Sequence, residues 1–347
     1  MNRTRILALM LALVVGAIAA ACGGSDSDEA ATGTDGGATS SAPSGEPTKL
    51  TVSYSWPTVD FMAVPLVVAD EMGYFAEAGV EVELVFPPDP ASSAKVLATG
   101  DSDIGLITTT DMAFSVKEGL GITAIGNYTT SNNWGLFTKP GTPIALDTLK
   151  GKKISGYGDS WTKAMLPFVL GAAGLTEQDV EVVTVDWDLP LLLSGKVDVA
   201  TNTTNFMVSG VVDETGEQPG VLLAKDNGAP DVPVWVYAVN DAFAADNGDA
   251  VTAFLRAVGE ATVWASDNPE EAVELFEQAY PDNGYTTTYN TAGWEDTLKY
   301  VRGADGSLFL MTDEQWTSLA EALKGIGELD QVAPPSDYYT NDYISMN

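Results

Sequence analysis

The stretch LATGDSDIGLITTT, at Leu97–Thr110, is repeated further along the chain as LLSGKVDVATNTTN, at Leu192–Asn205. When Gly100 is set against Gly195, both copies read L-x-[TS]-G-x-x-D-[IV], and both continue into a pair of threonines. A glycine turn followed by an apolar run is typical of a strand that begins after a tight turn. The repeat therefore predicts two similar strand entries; the alternative is a chance match of a common turn.

The segments that precede the two copies also match each other. GVEVELVF comes before the first copy and DVEVVTVD before the second, each with the alternation of a half-buried strand. From Lys49 onward, strand and helix patterns alternate, which indicates an α/β fold with largely parallel sheets. One amphipathic helix is predicted over Val64–Ala78. We therefore expect two lobes, each a mixed, mostly parallel sheet flanked by helices.

Beyond Trp235 the pattern changes, because helices predominate after the strand VWVYAVN. A helical C-terminal section that returns to the first lobe would make that lobe discontinuous. The predicted domains are lobe 1 at 49–136 plus 237–347 and lobe 2 at 137–236. The predicted hinge consists of two crossing strands, Trp134–Thr138 and Pro233–Asn240.

Residues 1–21 have the pattern of a signal peptide rather than of a folded segment. Two early arginines are followed by the apolar run Ile6–Ala21, which is shorter than the ~20 residues of a membrane-spanning helix. Cys22 follows three alanines and precedes polar residues, which resembles the lipobox of bacterial lipoproteins, where the cysteine is lipidated. An ordinary secretion signal is the alternative. Residues 22–48 lack large apolar side chains and are predicted to be a disordered tether.

The composition excludes several kinds of chemistry. Cys22 is the only cysteine and the chain has no histidine. An intrachain disulfide, a Cys/His metal site and a His-dependent nucleophile are therefore impossible. The formal net charge is −33 at pH 7, and a surface this acidic repels nucleic acid and anionic membranes. We expect no metal, no cofactor and no nucleic-acid partner.

Ligands of open α/β sheets bind beyond the carboxyl ends of the strands. The side chains that the sequence places there are aromatic, hydroxyl, amide or acidic. None is Arg or Lys, which argues against a strongly anionic ligand. The candidate ligand-binding residues are Trp56, Asp60, Phe61, Ser93, Thr108, Thr109, Thr110, Tyr128, Tyr157, Asp159, Ser160, Trp161, Asp186, Trp187, Thr203, Thr204 and Asn205.

The aromatic rings in this set suit a flat ligand held between their faces, while threonine and asparagine suit its polar edge. Asp60, Asp159 or Asp186 could pair with an amino or cationic group. We expect Thr108–Thr110 and Thr203–Asn205 to lie opposite each other across one cleft. Taken singly, each tryptophan could equally belong to the core or to the rim of the site, and each threonine to an ordinary strand end.

Several segments resemble the substrate-binding proteins of ABC importers, in the branch that takes nitrate, sulfonates, taurine and thiamine precursors. They are VVADEMGYFAEAGVEVELV, TGDSDIG, LKGKKISGYG, LLSGKVDVA and FLRAVGEATVWASDNPEEAVELF. The chain is most similar to the thiamine-pyrimidine-precursor group, through 85–91, 186–195 and 339–343. The resemblance implies a two-lobed fold of the periplasmic-binding-protein type, in its type II form.

The resemblance also implies a function. Such a protein is a non-enzymatic extracytoplasmic receptor that captures a small aromatic or heterocyclic molecule, similar to a thiamine pyrimidine precursor, and delivers it to an ABC importer. Its partners would be the ligand, the permease and ATPase subunits, and the outer face of the cell membrane through a lipid anchor at Cys22. The chain would be a monomer.

The chain departs from that group in two places. A Trp-x-x-Asn-x-x-His-like segment follows the first strand in the group; here Trp56 is present and no histidine exists. The group tends to carry a Trp and a Glu after its second G-x-x-D-[AV] strand, where this chain has Asn205, Phe206 and Met207. The similar fungal pyrimidine synthases need a histidine and a Cys-rich segment, and this chain has neither. The alternatives are a sulfonate-, taurine-, nitrate- or riboflavin-like ligand, an enzyme acting on a pyrimidine-like substrate, and a ligand-sensing module of a surface receptor.

Overall fold

The computed structural model describes residues 46–89 and 92–344. The expected signal peptide, the lipidation site Cys22 and most of the predicted tether lie outside the described residues. Within these ranges the chain alternates strands and helices, as the sequence pattern predicts.

The strands are β1 (Thr48–Ser53), β2 (Val80–Val85), β3 (Ile104–Thr108), β4 (Ile122–Asn127), β5 (Trp134–Thr138), β6 (Lys153–Gly156), β7 (Glu181–Thr184), β8 (Ala200–Thr203), β9 (Gly220–Leu223) and β10 (Trp235–Asn240). The helices are α1 (Val64–Glu71), α2 (Tyr74–Ala78), α3 (Ser93–Ala98), α4 (Thr109–Glu118), α5 (Ser160–Ala172), α6 (Leu189–Leu193), α7 (Thr204–Thr215), α8 (Asp241–Asp267), α9 (Pro269–Ala279), α10 (Thr287–Thr297) and α11 (Asp313–Gly325).

The first lobe is built on a five-stranded sheet in the order β2-β1-β3-β10-β4. Strand β1 runs parallel to both β2 and β3, whereas β10 runs antiparallel to β3 and β4. Strand β10 comes from late in the chain and inserts between two early strands. The sheet is therefore mixed, and the chain must leave this lobe and return to complete it.

The second lobe contains the sheet β8-β5-β9 and the parallel pair β6-β7. A single parallel bridge between Ile154 and Val199 links the two, which extends the order to β7-β6-β8-β5-β9. This order repeats that of the first lobe, with β8 in the place of β3 and β5 in the place of β10. The two copies of the repeated motif thus enter equivalent strands, which confirms the two-lobed α/β fold.

The structure differs from the sequence prediction in two elements. The predicted helix Val64–Ala78 is two helices, because Gly73 between them has a left-handed φ of 79° that ends the first one. Strand β9 was not predicted. The predicted hinge strands contain β5 and β10, which lie in different sheets. The chain crosses between the lobes just before each of them, in residues 129–133 and 230–234, and the residue boundaries of the lobes stay a prediction.

The segments that cross between the lobes are hydrogen bonded to each other. The Asn132 backbone N–H and the Ser131 hydroxyl donate to Asp231, and the Asn132 amide donates to the Pro230 carbonyl. The Thr129 hydroxyl accepts from the backbone N–H groups of Val234 and Trp235. The residues around the crossing are therefore fixed at several points.

Large apolar clusters lie on the two sides of the five-stranded sheet, and the helices α1, α2, α8 and α9 cover one of them. A smaller cluster lies under α6 and α7 in the second lobe. None of the helices in the described part of the chain combines the length and the apolar composition that a bilayer crossing requires.

Candidate functional site

The two repeats end at equivalent places in the two sheets. Thr108, the last residue of β3, pairs with Trp235, the first residue of β10. Thr203, the last residue of β8, pairs with Trp134, the first residue of β5. A helix follows each threonine directly, so the N-termini of α4 and α7 both point toward the region where the chain crosses between the lobes.

The first lobe contributes a buried carboxylate, Asp60. It caps the 3₁₀ turn Phe61–Ala63 by accepting from the backbone N–H of Met62 at 2.8 Å. Its oxygens also accept from the hydroxyl of Tyr54 at 2.7 Å and from Nε1 of Trp56 at 2.5 Å. Burial raises the pKa of Asp60 to about 6, although these three hydrogen bonds oppose the shift. Asp60 therefore holds the Trp56 ring in place.

The second lobe contributes a similar carboxylate, Asp188, which lies directly before α6. The hydroxyl of Tyr157 donates to its Oδ1 at 2.6 Å, and Asn202 donates to the same hydroxyl at 3.0 Å. The other oxygen accepts a long bond, 3.4 Å, from Ser155, and Asn202 and the Asp188 backbone N–H also favour the charged carboxylate through hydrogen bonds. Burial raises the pKa of Asp188 to about 6, and the hydrogen bond from Tyr157 is the largest effect that opposes this shift.

An aromatic cluster connects elements of the two lobes. The Trp56 ring lies 5.0 Å from that of Trp235 and 5.5 Å from that of Phe206 in α7, both in edge-to-face geometry. Phe206 lies 4.7 Å from Phe61, which is 5.6 Å from Tyr289 in α10. We call these five residues the interlobe aromatic cluster. Trp56 and Trp235 are the members that retain partial exposure, so their rings can contact a flat ligand.

Two groups of hydrogen bonds join the lobes beside this cluster. In the first, the Ser160 hydroxyl at the start of α5 contacts the Thr110 hydroxyl at 2.8 Å and donates to Asp111 at 2.5 Å. In the second, Thr204 donates to Asp296 at 2.6 Å and the Asn205 amide donates to Thr297 at 2.9 Å. Both groups link a helix N-terminus to an element of the other lobe, so both are made when the lobes are close together.

The threonine motifs occupy these contacts rather than opposing each other. Among the described residues no hydrogen bond joins Thr108–Thr110 to Thr203–Asn205. Thr109 instead bonds to the carbonyls of 233–234, and Asn133 bonds to Thr204 and Asn205. The sequence predicted that the two motifs lie directly opposite each other. In the structure, each motif is instead hydrogen bonded to one of the two segments that cross between the lobes.

Several polar atoms at this junction are buried and have no hydrogen-bond partner among the described residues. They are Oδ1 of Asn133, Oγ1 of Thr203, Nε1 of Trp235 and the hydroxyl of Tyr289. An unpartnered buried polar atom costs roughly 1–3 kcal/mol, so a cluster of them is uncommon in a fold without a function for them. Their concentration where the lobes meet marks this junction as the candidate ligand site.

Some of the predicted residues lie together at this junction, and others make structural contacts elsewhere. Trp56, Asp60, Phe61, Tyr157 and Thr203 belong to the junction. Trp187 lies near it, with its ring 6.4 Å from that of Tyr285. The Ser93 hydroxyl donates to the Ser55 carbonyl and the Tyr128 hydroxyl to that of Met62, so both support the first lobe.

Three predicted residues make structural contacts. Trp161 is 3% exposed and packs in an apolar core with Met165 and Val169. Its Nε1 is also buried without a hydrogen-bond partner among the described residues, and its stacking role stays a prediction. Asp159 caps α5 by accepting from the Thr162 backbone N–H. Asp186 is exposed, whereas Asp188, two residues later, carries the buried carboxylate.

Five residues of the junction were absent from the predicted set: Asn133, Asp188, Phe206, Trp235 and Tyr289. A local signal existed for Asp188, because it stands directly before the apolar segment LPLLL, whose proline marks a helix start. Trp235 is the counterpart of Trp134 only through the order of strands in the two sheets, so alignment of the repeats does not reveal it. Tyr289 has no local signal, since its contacts come from distant parts of the chain.

The junction contains the buried carboxylates of Asp60 and Asp188, and neither has a cationic partner among the described residues. The ion pairs of the described residues are formed by Lys49, Lys150, Lys153, Lys225 and Lys299, and none includes Asp60 or Asp188. No grouping of metal-ligating side chains occurs in the described ranges. The site therefore suits a neutral or positively charged ligand better than an anion.

Comparisons with known proteins place the chain among relatives of thiamine precursor metabolism. The family model "NMT1/THI5 like" matches residues 60–272. A protein named for thiamine biosynthesis from Haemophilus influenzae is 27% identical over 294 residues, which cover 84% of this chain and 91% of that protein. The formylaminopyrimidine-binding protein of Halalkalibacterium halodurans is 26% identical over 212 residues, covering 60% and 64%.

An enzyme is also among the relatives. The 4-amino-5-hydroxymethyl-2-methylpyrimidine phosphate synthase of Aspergillus parasiticus is 25% identical over 309 residues, covering 86% of this chain and 87% of the enzyme. Among solved structures, the periplasmic aliphatic sulphonate binding protein of Escherichia coli superposes with a TM-score of 0.65 at 16% identity, covering 85% of this chain and 92% of that one. The fold is thus that of the periplasmic binding proteins.

Proposed function

The chain belongs to the NMT1/THI5-like family, and we propose that within it this protein is a solute-binding receptor. It captures a small nitrogen heteroaromatic, similar to a thiamine pyrimidine precursor, between its two lobes and delivers it to an ABC importer. The observation that carries the proposal is the interlobe junction, where aromatic rings, two buried carboxylates and unpartnered polar atoms converge.

The ligand class follows from the chemistry of this junction. Aromatic side chains hold a flat ring through their faces and edges. A buried carboxylate such as Asp188 accepts hydrogen bonds from a ring amino group. The relative from Halalkalibacterium halodurans is named for binding a formylaminopyrimidine. A sulfonate or nitrate would instead bring a further negative charge beside Asp60 and Asp188.

Closure of the lobes couples binding to transport. A ligand closes a two-lobed protein only to the extent that it binds the closed state more tightly than the open one. The bonds of Ser160 to Asp111 and of Thr204 to Asp296 are available only when the lobes are together, and they would add to that difference. We propose that the permease recognises this closed form.

We further propose that the protein works outside the cytoplasm, attached by lipid at Cys22. In this arrangement the segment 22–48 is a tether that keeps the receptor near the permease and so raises its effective concentration there. The absence of histidine from the sequence weighs against a synthase resembling the fungal enzymes. A synthase remains the second candidate, because that relative covers most of the chain.

Native mass spectrometry of the protein purified without refolding separates these candidates. A receptor should carry a heteroaromatic amine and release it unchanged after prolonged incubation. Conversion of the bound molecule on incubation would favour the synthase. An aliphatic sulfonate in the spectrum would contradict the proposed ligand class.

A further inference from the structure

We propose that Tyr289 and Trp235 are ligand-binding residues that determine specificity, and that together they require a ligand edge with a hydrogen-bond donor and an acceptor side by side and no negative charge. This assignment rests on the proposed receptor function. Neither residue lies in a segment that resembles a binding motif, and both are identified from the contacts of the folded chain.

The Tyr289 hydroxyl is an unusual feature of α10. The side chain is 3% exposed, yet its hydroxyl has no hydrogen-bond partner among the described residues. Its ring is fixed on two sides, stacked on Tyr285 at 4.7 Å and edge-on to Phe61 at 5.6 Å. A buried tyrosine normally finds a partner for its hydroxyl, so a rigid ring with a free hydroxyl is poised for a ligand atom.

The surroundings of this hydroxyl belong to both lobes. Burial raises the pKa of Tyr289 well above its ordinary value, and the charges of Asp60 and Asp188 raise it further. Tyr289 also raises the pKa of Tyr157, which donates to Asp188. Tyr289 therefore lies within electrostatic reach of the carboxylates of both lobes, at the place where a ligand held between them would be.

Trp235 approaches the same junction from the crossing segment. Its Nε1 is buried without a partner among the described residues, while its ring packs 5.0 Å from Trp56. The backbone on both sides of it is fixed, because Thr129 accepts from its N–H and Tyr128 donates to its carbonyl. The indole N–H can only donate, so its partner on a ligand must be an acceptor.

These side chains offer hydrogen-bond donors and acceptors that complement one edge of a ligand. Trp235 donates, the carboxylate of Asp188 accepts, and the hydroxyls of Tyr289 and Thr203 can do either. A ring nitrogen offers the matching acceptor, and an amino group on the neighbouring ring carbon offers the donor beside it. A sulfonate offers acceptors alone and would place its charge near Asp60 and Asp188, where the ion pairs of the described residues supply no cation.

The chain offers a matched control in Tyr237. Its hydroxyl is likewise buried and unpartnered among the described residues, but its ring packs on Phe254, Tyr128 and Phe309 in the first lobe. Tyr289→Phe and Tyr237→Phe therefore remove the same group from equally buried places. Neither change should lower the thermal midpoint of the unliganded protein, because each removes a buried polar group whose desolvation is not offset by a hydrogen bond.

The test is calorimetric titration of the protein and the variants with 4-amino-5-hydroxymethyl-2-methylpyrimidine and, separately, with ethanesulfonate. We expect Tyr289→Phe to weaken pyrimidine binding roughly tenfold, as loss of one buried hydrogen bond predicts, and Tyr237→Phe to leave it unchanged. Trp235→Phe should weaken it similarly, and ethanesulfonate should not bind.

Equal pyrimidine affinity in Tyr289→Phe and the wild type would overturn the assignment while leaving the receptor function intact. Equal weakening in Tyr289→Phe and Tyr237→Phe would also overturn it, because the effect would then be one of general packing. Binding of ethanesulfonate would overturn the exclusion of anions. Failure of the wild type to bind the pyrimidine would contradict the proposed ligand class and this assignment together.

Discussion

Thr203 pairs with Trp134 across an antiparallel ladder, at the point where one strand ends and the other begins. Thr108 and Trp235 repeat this relationship in the other lobe. In both cases the tryptophan is the first residue of a strand that follows a crossing between the lobes. The repeated motif thus fixes the crossings, and the candidate site lies around them.

Trp56 and Trp161 should respond differently to truncation. Trp56→Ala removes a partly exposed ring from the interlobe aromatic cluster and should weaken ligand binding, with a smaller effect on stability. Trp161→Ala removes a core side chain and should cost about 3–5 kcal/mol of unfolding free energy. Urea unfolding and calorimetry measure the two effects. Unchanged stability in Trp161→Ala would contradict its placement in the core.

The buried carboxylates predict how stability depends on pH. Because burial raises the pKa of Asp188 to about 6, the folded protein binds a proton more readily than the unfolded chain. The stability linked to this proton is complete below the ordinary aspartate pKa of ~3.9 and is lost as the pH rises through about 6, a loss of up to roughly 3 kcal/mol. Burial also raises the pKa of Asp60, so the stability linked to its proton is likewise lost as the pH rises.

The measurement is the unfolding free energy in urea at pH 4.5 and 7.5. Asp188→Asn should lose less stability over this interval than the wild type, because the titrating group is gone. Asp186→Asn alters an exposed neighbour and serves as the control, expected to follow the wild type. Parallel curves for Asp188→Asn and the wild type would contradict the buried position of this carboxylate.

Ser160 should affect the lifetime of the closed form. Ser160→Ala removes the bonds to Thr110 and Asp111 that join the lobes, and a loss of about 1 kcal/mol should raise the ligand dissociation rate roughly fivefold. Stopped-flow tryptophan fluorescence measures this rate. Ser194→Ala is the control, since its hydroxyl bonds to the Leu191 carbonyl within one lobe. Identical rates in the two variants would show that the Ser160 contacts do not stabilise closure.

Gly293 in α10 should not tolerate a side chain. A Cβ atom there would lie 2.3 Å from the Phe61 ring, so Gly293→Ala must displace either that ring or the helix that carries Tyr289. We expect a loss of both stability and ligand affinity. Gly171 in α5 has no atom near the corresponding position, and Gly171→Ala should stabilise the protein by up to about 1 kcal/mol. Thermal unfolding of both variants checks the contrast.

The sequence predicted the fold well because the strand signals are local. Alternating apolar residues and glycine turns identified most of the strands, and the repeat identified β3 and β8 as counterparts. Thr312 caps α11 in a capping box with Gln315, and the Thr-x-x-Gln spacing is a local signal of such a helix start. Strand β9 was missed because GVLL is too short to show alternation.

The site was predicted less completely, because it depends on long-range contacts. Trp56 and Asp60 are neighbours in sequence and were found together, whereas Tyr289 reaches them only through the packing of α10. The choice between Asp186 and Asp188 depends on where α6 begins, since the residue at that boundary is the one turned inward. The ligand role of Trp161 stays a prediction, because core and ligand-binding residues share the pattern of a helix start beside a strand end.

The most direct test of the receptor function is calorimetric titration of the wild-type protein with 4-amino-5-hydroxymethyl-2-methylpyrimidine, repeated with an alkanesulfonate of similar size. We predict saturable one-to-one binding of the aminopyrimidine and no heat of binding from the sulfonate. Binding of the sulfonate without binding of the aminopyrimidine would contradict the account, because a site with two buried carboxylates and no cation should not select an anion.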